Sequence, residues 1–289
     1  MRNSKLTPVI LLLPLMAVTL TVIIACVNVL LQSIGYVPAF GLTKITLGYY
    51  REVFKRPEFL SALWVSLRIA FVSTLLAAAL GTLLCAALVK RRAGGGMLYT
   101  VRFPILVPHT VVALFIMTLL GQTGIVARAA YGLGLISDYT KFPPILFTPG
   151  YGGAIAGYLW KEIPFVAYYT LALMASVSNT LGEAAENLGA SPLRSFFSVT
   201  LPMSLLAVSK AALIIFIYAF GGYELPALLG STLPKALPVQ AYITYLSSDL
   251  LQRPLAMAMF GVILMLSVLM AALYSIGIRR LIKRLGGEA

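Results

Sequence analysis

The sequence holds one histidine, two cysteines, two tryptophans and nine acidic residues among 289, and each scarcity closes off a class of function. The lone histidine, His109, stands among apolar residues just after Pro108, with no second His or Cys at ligand spacing. Neither a zinc site nor a serine-hydrolase triad can be assembled around it, so it reads as a structural residue. Cys26 and Cys85 fall on apolar segments expected to run in opposite directions, one near an outer end and the other near an inner end. That placement disfavours a disulfide and leaves both as small packing residues. No Gly-x-x-x-x-Gly-Lys-[Ser/Thr] run occurs, so nothing here cradles nucleotide phosphates in the Walker manner. Gly94-Gly95-Gly96 lacks the Lys-Ser/Thr ending and reads as a flexible inner loop. With no internal repeat and no low-complexity tract, residues 1–289 are expected to form a single domain.

Charge is scarce as well: 11% of residues are charged against 60% hydrophobic, and the mean hydropathy is +0.94. Such a chain belongs in a bilayer. The net charge of +13 does not point to nucleic acid, because the 22 Lys and Arg lie in short clusters between apolar runs without an aromatic-interleaved groove. The first run, Leu6 to Leu31 behind Arg2 and Lys5, exceeds a signal-peptide core and is expected to stay as a helix. Further spans are expected at Ala62 to Val89, Ile105 to Leu120, Ala154 to Val177, Leu205 to Ala227 and Leu255 to Ile278. These runs show continuous apolarity without strand alternation, so the expectation is an all-α integral membrane protein of six transmembrane helices.

Basic residues set its orientation. Arg2, Lys5, Lys90, Arg91, Arg92, Arg102, Arg194, Lys210, Arg279, Arg280, Lys283 and Arg284 fall on one side, against eight spread over longer loops on the other. By the positive-inside rule both termini are expected to be cytoplasmic, in a multi-pass protein of the bacterial inner membrane. Two outer loops, Ile34 to Ser61 and Gln122 to Gly150, carry Pro, Gly and Tyr and read as partly ordered surface or re-entrant structure.

The cytoplasmic segment from Asn179 to Pro202 reads as two short helices meeting at a bend. Thr180 and Glu183 have capping-box spacing, Gly189 suits a left-handed C-cap, and Ser191 with Pro192 suits the start of the second helix. Ala184 and Ala185 keep the first helix slim, Glu183 and Glu186 share a solvated or docking face, and Leu188 adds an apolar anchor. An ordinary hairpin between two spans is the alternative reading.

The same segment resembles the EAA signature of binding-protein-dependent ABC permeases. Glu183-Ala184-Ala185, Gly189, Val199 and Leu201-Pro202 meet every spacing, with Val199 where that family more often has Ile. The likeness is more diffuse over a core of about 60–280, and the tail, including Gly221-Gly222-Tyr223-Glu224-Leu225-Pro226, resembles the spermidine/putrescine-type branch. The resemblance implies a type I importer permease whose residues 179–202 form a coupling segment on the ATPase. Glu183, Ala184, Ala185, Glu186, Leu188, Gly189, Pro192, Leu201 and Pro202 would carry that contact. It implies two ATPase subunits that bind ATP and Mg, a second permease subunit, identical or homologous, and an extracytoplasmic solute-binding protein. This chain would itself hold no cofactor and hydrolyse no ATP.

Ionisable residues inside spans are costly and mark candidate function. Arg68, Lys161, Glu162 and Glu224 qualify, and Glu162, Glu224, Arg68 and Tyr223 are candidates for the path of a solute, polyamine or another small molecule such as a phosphonate or thiamine. Internal pairing of Arg68 with Glu162 or Glu224 is the alternative. Gly153 and Gly157 allow close helix packing, within the chain or across a subunit contact. A secondary transporter or channel is the rival class, and it would need carboxylates at broken helices, none of which the sequence suggests. A membrane enzyme would need a metal or nucleophile constellation, which is absent.

Overall fold

The structure, a computed structural model, describes residues 7–284. Arg2 and Lys5 lie outside the described residues, as do the side chains of Lys283 and Arg284. In chain order the helices are α1 (Thr7–Ser33), α2 (Gly48–Lys55), α3 (Pro57–Lys90), α4 (Gly95–Leu106), α5 (His109–Leu120), α6 (Ile125–Gly132), α7 (Gly152–Val177), α8 (Glu183–Asn187), α9 (Pro192–Ser195), α10 (Leu201–Gly221), α11 (Glu224–Leu229), α12 (Leu237–Tyr245) and α13 (Arg253–Arg284). Among the described residues the only extended pairing is one bridge, Val37 with Leu42, so the fold is all-α.

Five helical stretches among the described residues are long and apolar enough to cross a bilayer: Leu11–Ser33, Pro57–Lys90, His109–Gly132, Pro192–Gly221 and Leu250–Arg280. The remaining expected span, Ala154 to Val177, coincides with α7, which at 26 residues is long enough but is not among these five. Lys161, Glu162 and three tyrosines, Tyr158, Tyr168 and Tyr169, dilute its apolarity.

The chain forms two compact units, Met1–Leu60 with Gln240–Leu269, and Ser61–Val239 with Met270–Ala289. In the first, the α1 hydroxyls of Thr19 and Thr21 donate to the carbonyls of Leu15 and Ala17 at 2.8 and 2.9 Å. Polar groups on a lipid-facing helix are thereby satisfied inside it. Tyr50 OH donates to Ser33 Oγ at 2.8 Å, and a Cβ at Gly261 would collide with that phenol. Arg253 lies over the rings of Phe40 and Tyr245, 5.3 and 5.0 Å from their centroids.

In the second unit α7 is central, packed against α3, α4, α5, α10 and α11. Ala77, Val166, Ala211 and Ile215 form one fully buried cluster, and Cys85, Leu88, Ala167 and Met174 another. Close approach of α3 to α7 depends on Gly81, where a Cβ would sit 2.6 Å from Val166 Cβ and 2.8 Å from the Ile163 carbonyl oxygen. Gly157 and Gly153 likewise let α7 lie against Leu225 and Leu229 of α11, so the Gly-x-x-x-Gly pair packs within the chain.

Three expected boundaries need correction. Ile105 to Leu120 is not one helix, because Pro108 lacks an N–H and pushes Val107 to extended backbone, φ −74° and ψ 130°, which separates α4 from α5. Leu205 to Ala227 is broken at Gly222, also extended, so α10 stops at Gly221 and α11 begins at Glu224. Gly95 and Gly96 form the first turn of α4 instead of a flexible loop.

Candidate functional site

The segment after α7 does not begin a new helix. A wide π turn, Ser178–Gly182, carries α7 directly into α8, so Thr180 is no N-cap and the expected capping box is absent. Its hydroxyl donates backwards to the Ser176 carbonyl at 2.8 Å. Glu183 instead lies 3.6 Å from the Arg92 guanidinium with both side chains largely exposed, a pair worth under about 1 kcal/mol.

The bend follows the sequence reading. Gly189 has φ +96°, its N–H donates to the Glu186 carbonyl at 2.9 Å, and Ala190 N–H reaches the Ala185 carbonyl at 3.0 Å. These bonds satisfy carbonyls that the end of α8 would otherwise leave open. Ser191 Oγ then accepts from Arg194 N–H at 3.3 Å, with Pro192 opening α9. The two arms are tied together by buried Ser195, whose hydroxyl donates to the Gly182 carbonyl at 3.0 Å. A second π turn, Phe196–Thr200, precedes Leu201 and Pro202 and accommodates the proline at the start of α10.

Phe196 packs towards the Cys85 cluster while Leu188, Leu193 and Phe197 face outwards, with Leu188 91% exposed. Glu183, Ala184 and Glu186 are also exposed and Ala185 is half-buried. A cavity of about 410 Å³ separates this hairpin from the end of α3, with Lys90, Arg92, Glu183, Glu186 and Phe196 on its walls.

The two helix breaks create a second site. Val107 ends α4, and its carbonyl accepts from Lys161 Nζ on α7 at 2.6 Å. The same ammonium lies 3.4 Å from His109 Nδ1. Tyr218 OH lies 3.3 Å from Nε2 and 3.1 Å from Nδ1, and Glu224 Oε2 stands 3.7 Å from Nδ1. Tyr158 completes the wall, its ring centroid 6.3 Å from that of His109 and 6.4 Å from that of Tyr218. Between them lies a cavity of about 500 Å³ bounded also by Gly222, Tyr223 and Leu225.

Of the four candidates for a solute path, this cavity gathers Glu224 and Tyr223; Glu162 is buried next to Lys161 on α7. Arg68 is elsewhere, its guanidinium donating to the Pro149 carbonyl, and among the described residues it pairs with neither Glu162 nor Glu224. The expected internal pairing is therefore replaced by a backbone contact. His109, set aside in the sequence as structural, stands at the centre of the cluster with Tyr158 and Tyr218. The available signal was Pro108 before it, which breaks the helix and turns a buried imidazole into a cavity wall. Glu224 is a carboxylate at a broken helix, a feature the sequence did not suggest. No group of three metal-ligating side chains occurs among the described residues.

An all-α protein with several membrane-crossing helices, a polar cavity at two helix breaks and an apolar-faced hairpin has the make-up of a multi-pass transport protein. The chain belongs to the family described as "Binding-protein-dependent transport system inner membrane component", whose model matches residues 77–285. It is similar to the molybdenum transport system permease protein ModB of Azotobacter vinelandii, 24% identical over 61% of this chain and 75% of that protein. It also resembles the putrescine transport system permease protein PotI of Escherichia coli (strain K12), 26% identical over 58% of this chain but only 55% of PotI. The sn-glycerol-3-phosphate transport system permease protein UgpA of Pectobacterium atrosepticum is 28% identical over 75% of this chain and 74% of its own length. In fold it matches a chain of a bacterial ABC transporter that imports the acidic polysaccharide alginate, with TM-score 0.68 and 21% identity over 91% of this chain and 95% of that one.

Proposed function

We propose that this chain is the solute-conducting permease subunit of an ATP-driven importer, working as one permease domain in the bacterial inner membrane. In this reading the chain crosses the membrane six times, with both termini and the 179–202 segment in the cytoplasm. A second permease subunit completes the path, two ATPase subunits bind ATP and Mg on the cytoplasmic side, and an extracytoplasmic binding protein delivers the solute. The observation that carries this reading is the hairpin: Gly189 bends it at φ +96° and leaves Leu188 outside, an apolar knob on a slim helix with no covering from its own chain. The Glu183 to Gly189 arm seats in a cleft of the ATPase, with Leu201 and Pro202 setting where the second arm rejoins α10. ATP-driven closure of the ATPases then turns the hairpins and changes the side to which the path opens.

The solute of this proposal is a small organic molecule, polyamines first among them. The relatives are named for molybdenum, putrescine and sn-glycerol-3-phosphate transport, and such a mixture selects no solute for this chain. Because Glu224 stands at a helix break, a secondary transporter or channel is the competing reading.

Affinity purification of the tagged chain, co-expressed with the ATPase encoded nearest to it, separates the two. The expected result is a stable complex whose ATP hydrolysis rises with solute-loaded binding protein. Uptake that persists without any associated ATPase would reject the importer reading.

A further inference from the structure

We propose that the cavity lined by His109, Tyr158, Tyr218, Tyr223 and Glu224 binds a small organic cation, an alkylammonium or diammonium, with Glu224 as counter-ion and the tyrosines as walls. This deepens the permease reading above and rests on it.

The sign of the ligand follows from which charged side chains line the cavity. Around His109 stand Lys161 and Glu224, with Nζ 3.4 Å and Oε2 3.7 Å from its Nδ1, and Glu162 follows Lys161 on α7. Among the described residues, Glu224 is the one carboxylate on the cavity wall, and no lysine or arginine lines it. The two carboxylates are also placed differently. Glu162 is buried beside Lys161, whereas Glu224 is on the cavity wall with its side chain 53% exposed. Lys161 does not line the cavity. Its Nζ is turned away to cap the Val107 carbonyl at 2.6 Å, behind the imidazole. An anionic solute entering here would meet a carboxylate first and find no free cation.

The remaining walls suit an ammonium rather than a metal ion. Aromatic faces attract organic cations and tolerate the methylene groups between them, while a bare metal ion would need several oxygen ligands converging at short range. The rings of Tyr158 and Tyr218 stand nearly perpendicular, at 86°, forming a corner that offers one face and one edge. Phenol oxygens and the Gly221 to Gly222 break supply acceptors for N–H groups. A volume of about 500 Å³ falls within the range of small-molecule pockets, roughly 300–1,000 Å³.

The test uses the full-length chain in lipid nanodiscs together with its co-purified partners, and 1,4-diaminobutane as the probe. Saturation-transfer NMR on the probe's methylene protons reads binding, and sodium sulfate and sn-glycerol-3-phosphate serve as competitors at matched ionic strength. Expected are transfer in the wild type, at least tenfold weaker binding in Glu224→Gln, retention in Glu224→Asp, and no displacement by either anion. Equal binding in wild type and Glu224→Gln overturns the proposal, as does displacement by sulfate or sn-glycerol-3-phosphate. If Glu224→Gln fails to fold, the competition series on the wild type decides alone. ATPase co-purification is scored separately. An assembled complex without diamine binding rejects the cation site only, and loss of the ATPase rejects the permease reading while the diamine measurement still stands for the chain itself.

Discussion

Replacing Gly189 with valine isolates the hairpin bend from everything else in the molecule. A Cβ at this position meets nothing within 4 Å, so no steric contact with the rest of the protein is at stake. What remains is the backbone: φ is +96°, a region that costs a non-glycine residue about 1–3 kcal/mol, with β-branched valine towards the upper end. If the valine chain escapes to negative φ, the bonds from Gly189 N–H to Glu186 and from Ala190 N–H to Ala185 are lost together and Leu188 leaves its position. At roughly 1.4 kcal/mol per tenfold, about 2–3 kcal/mol lowers the population of the bent hairpin by some 30- to 150-fold. The apolar helices do not depend on this bend, so membrane insertion and yield should match the wild type. ATP hydrolysis by the associated ATPase should lose its response to loaded binding protein, and uptake should fall by more than tenfold. Asparagine tolerates the left-handed region better than other residues with a Cβ, so Gly189→Asn should recover much of the coupling. Wild-type coupling in Gly189→Val, or a worse defect in Gly189→Asn than in Gly189→Val, would refute the argument from φ.

Further perturbations probe the other elements. Gly81→Val should destabilise the α3–α7 contact by about 1–3 kcal/mol through overpacking against Val166, visible as a lower midpoint in fluorescence-detected thermal unfolding, whereas Gly95→Ala should leave it unchanged. Lys161→Met removes the charge-assisted donor to the Val107 carbonyl, so about 1.5–3 kcal/mol of stability should go, with Lys161→Arg milder in the same assay. Cysteines placed at Lys90 to Arg92 and at Arg279 to Arg280 should resist a membrane-impermeant maleimide in intact cells, while one in the Gln122 to Gly150 loop reacts; labelling at Arg279 from outside would reject the six-crossing topology.

What the sequence made legible, and what it hid, divide along a physical line. Gly189, Ser191 and Pro192 were readable because their roles rest on local backbone chemistry: a glycine where φ is positive, a hydroxyl followed by a residue without an N–H. Thr180 and Glu183 had the right spacing for a capping box, but a capping box needs a helix to begin there. The turn before them instead carries α7 onward with π spacing, a choice made by tertiary contacts of Ser195 and Thr200 with Gly182 that spacing alone does not encode. The breaks at Val107 and Gly222 were hidden for a related reason. Hydropathy averages over a window, and a single extended residue inside an apolar run does not lower the average, although Pro108 marked the first break for a reader weighing backbone donors. His109 followed from that oversight: on an unbroken helix it would be a wall residue in a packed core, and on a broken one it meets Lys161, Tyr218 and Glu224.

The cavity and the hairpin share one helix, and that gives a physical basis for communication between them. Tyr158 and Lys161 belong to α7, which runs on through the π turn into α8 without an intervening loop, so Lys161 and Glu183 are 22 positions apart on a continuous helical path of about 33 Å. Lys161 grips the end of α4 through Val107, and Tyr158 abuts Gly222 at the end of α10, where a Cβ would collide with its phenol. A rotation imposed on α8 would therefore reach both breaks through side chains that already hold them, with no relay of loosely packed residues in between. The weak point of such a lever is its π turn, where Gly182 is enclosed by the hydroxyls of Ser178, Ser195 and Thr200, between 3.3 and 3.6 Å from where its Cβ would lie. A Cβ alone there asks the Thr200 hydroxyl to give by only a few tenths of an ångström, so Gly182→Ala should be tolerated, whereas the branched side chain of Gly182→Val should press the three hydroxyls apart and lower the thermal unfolding midpoint.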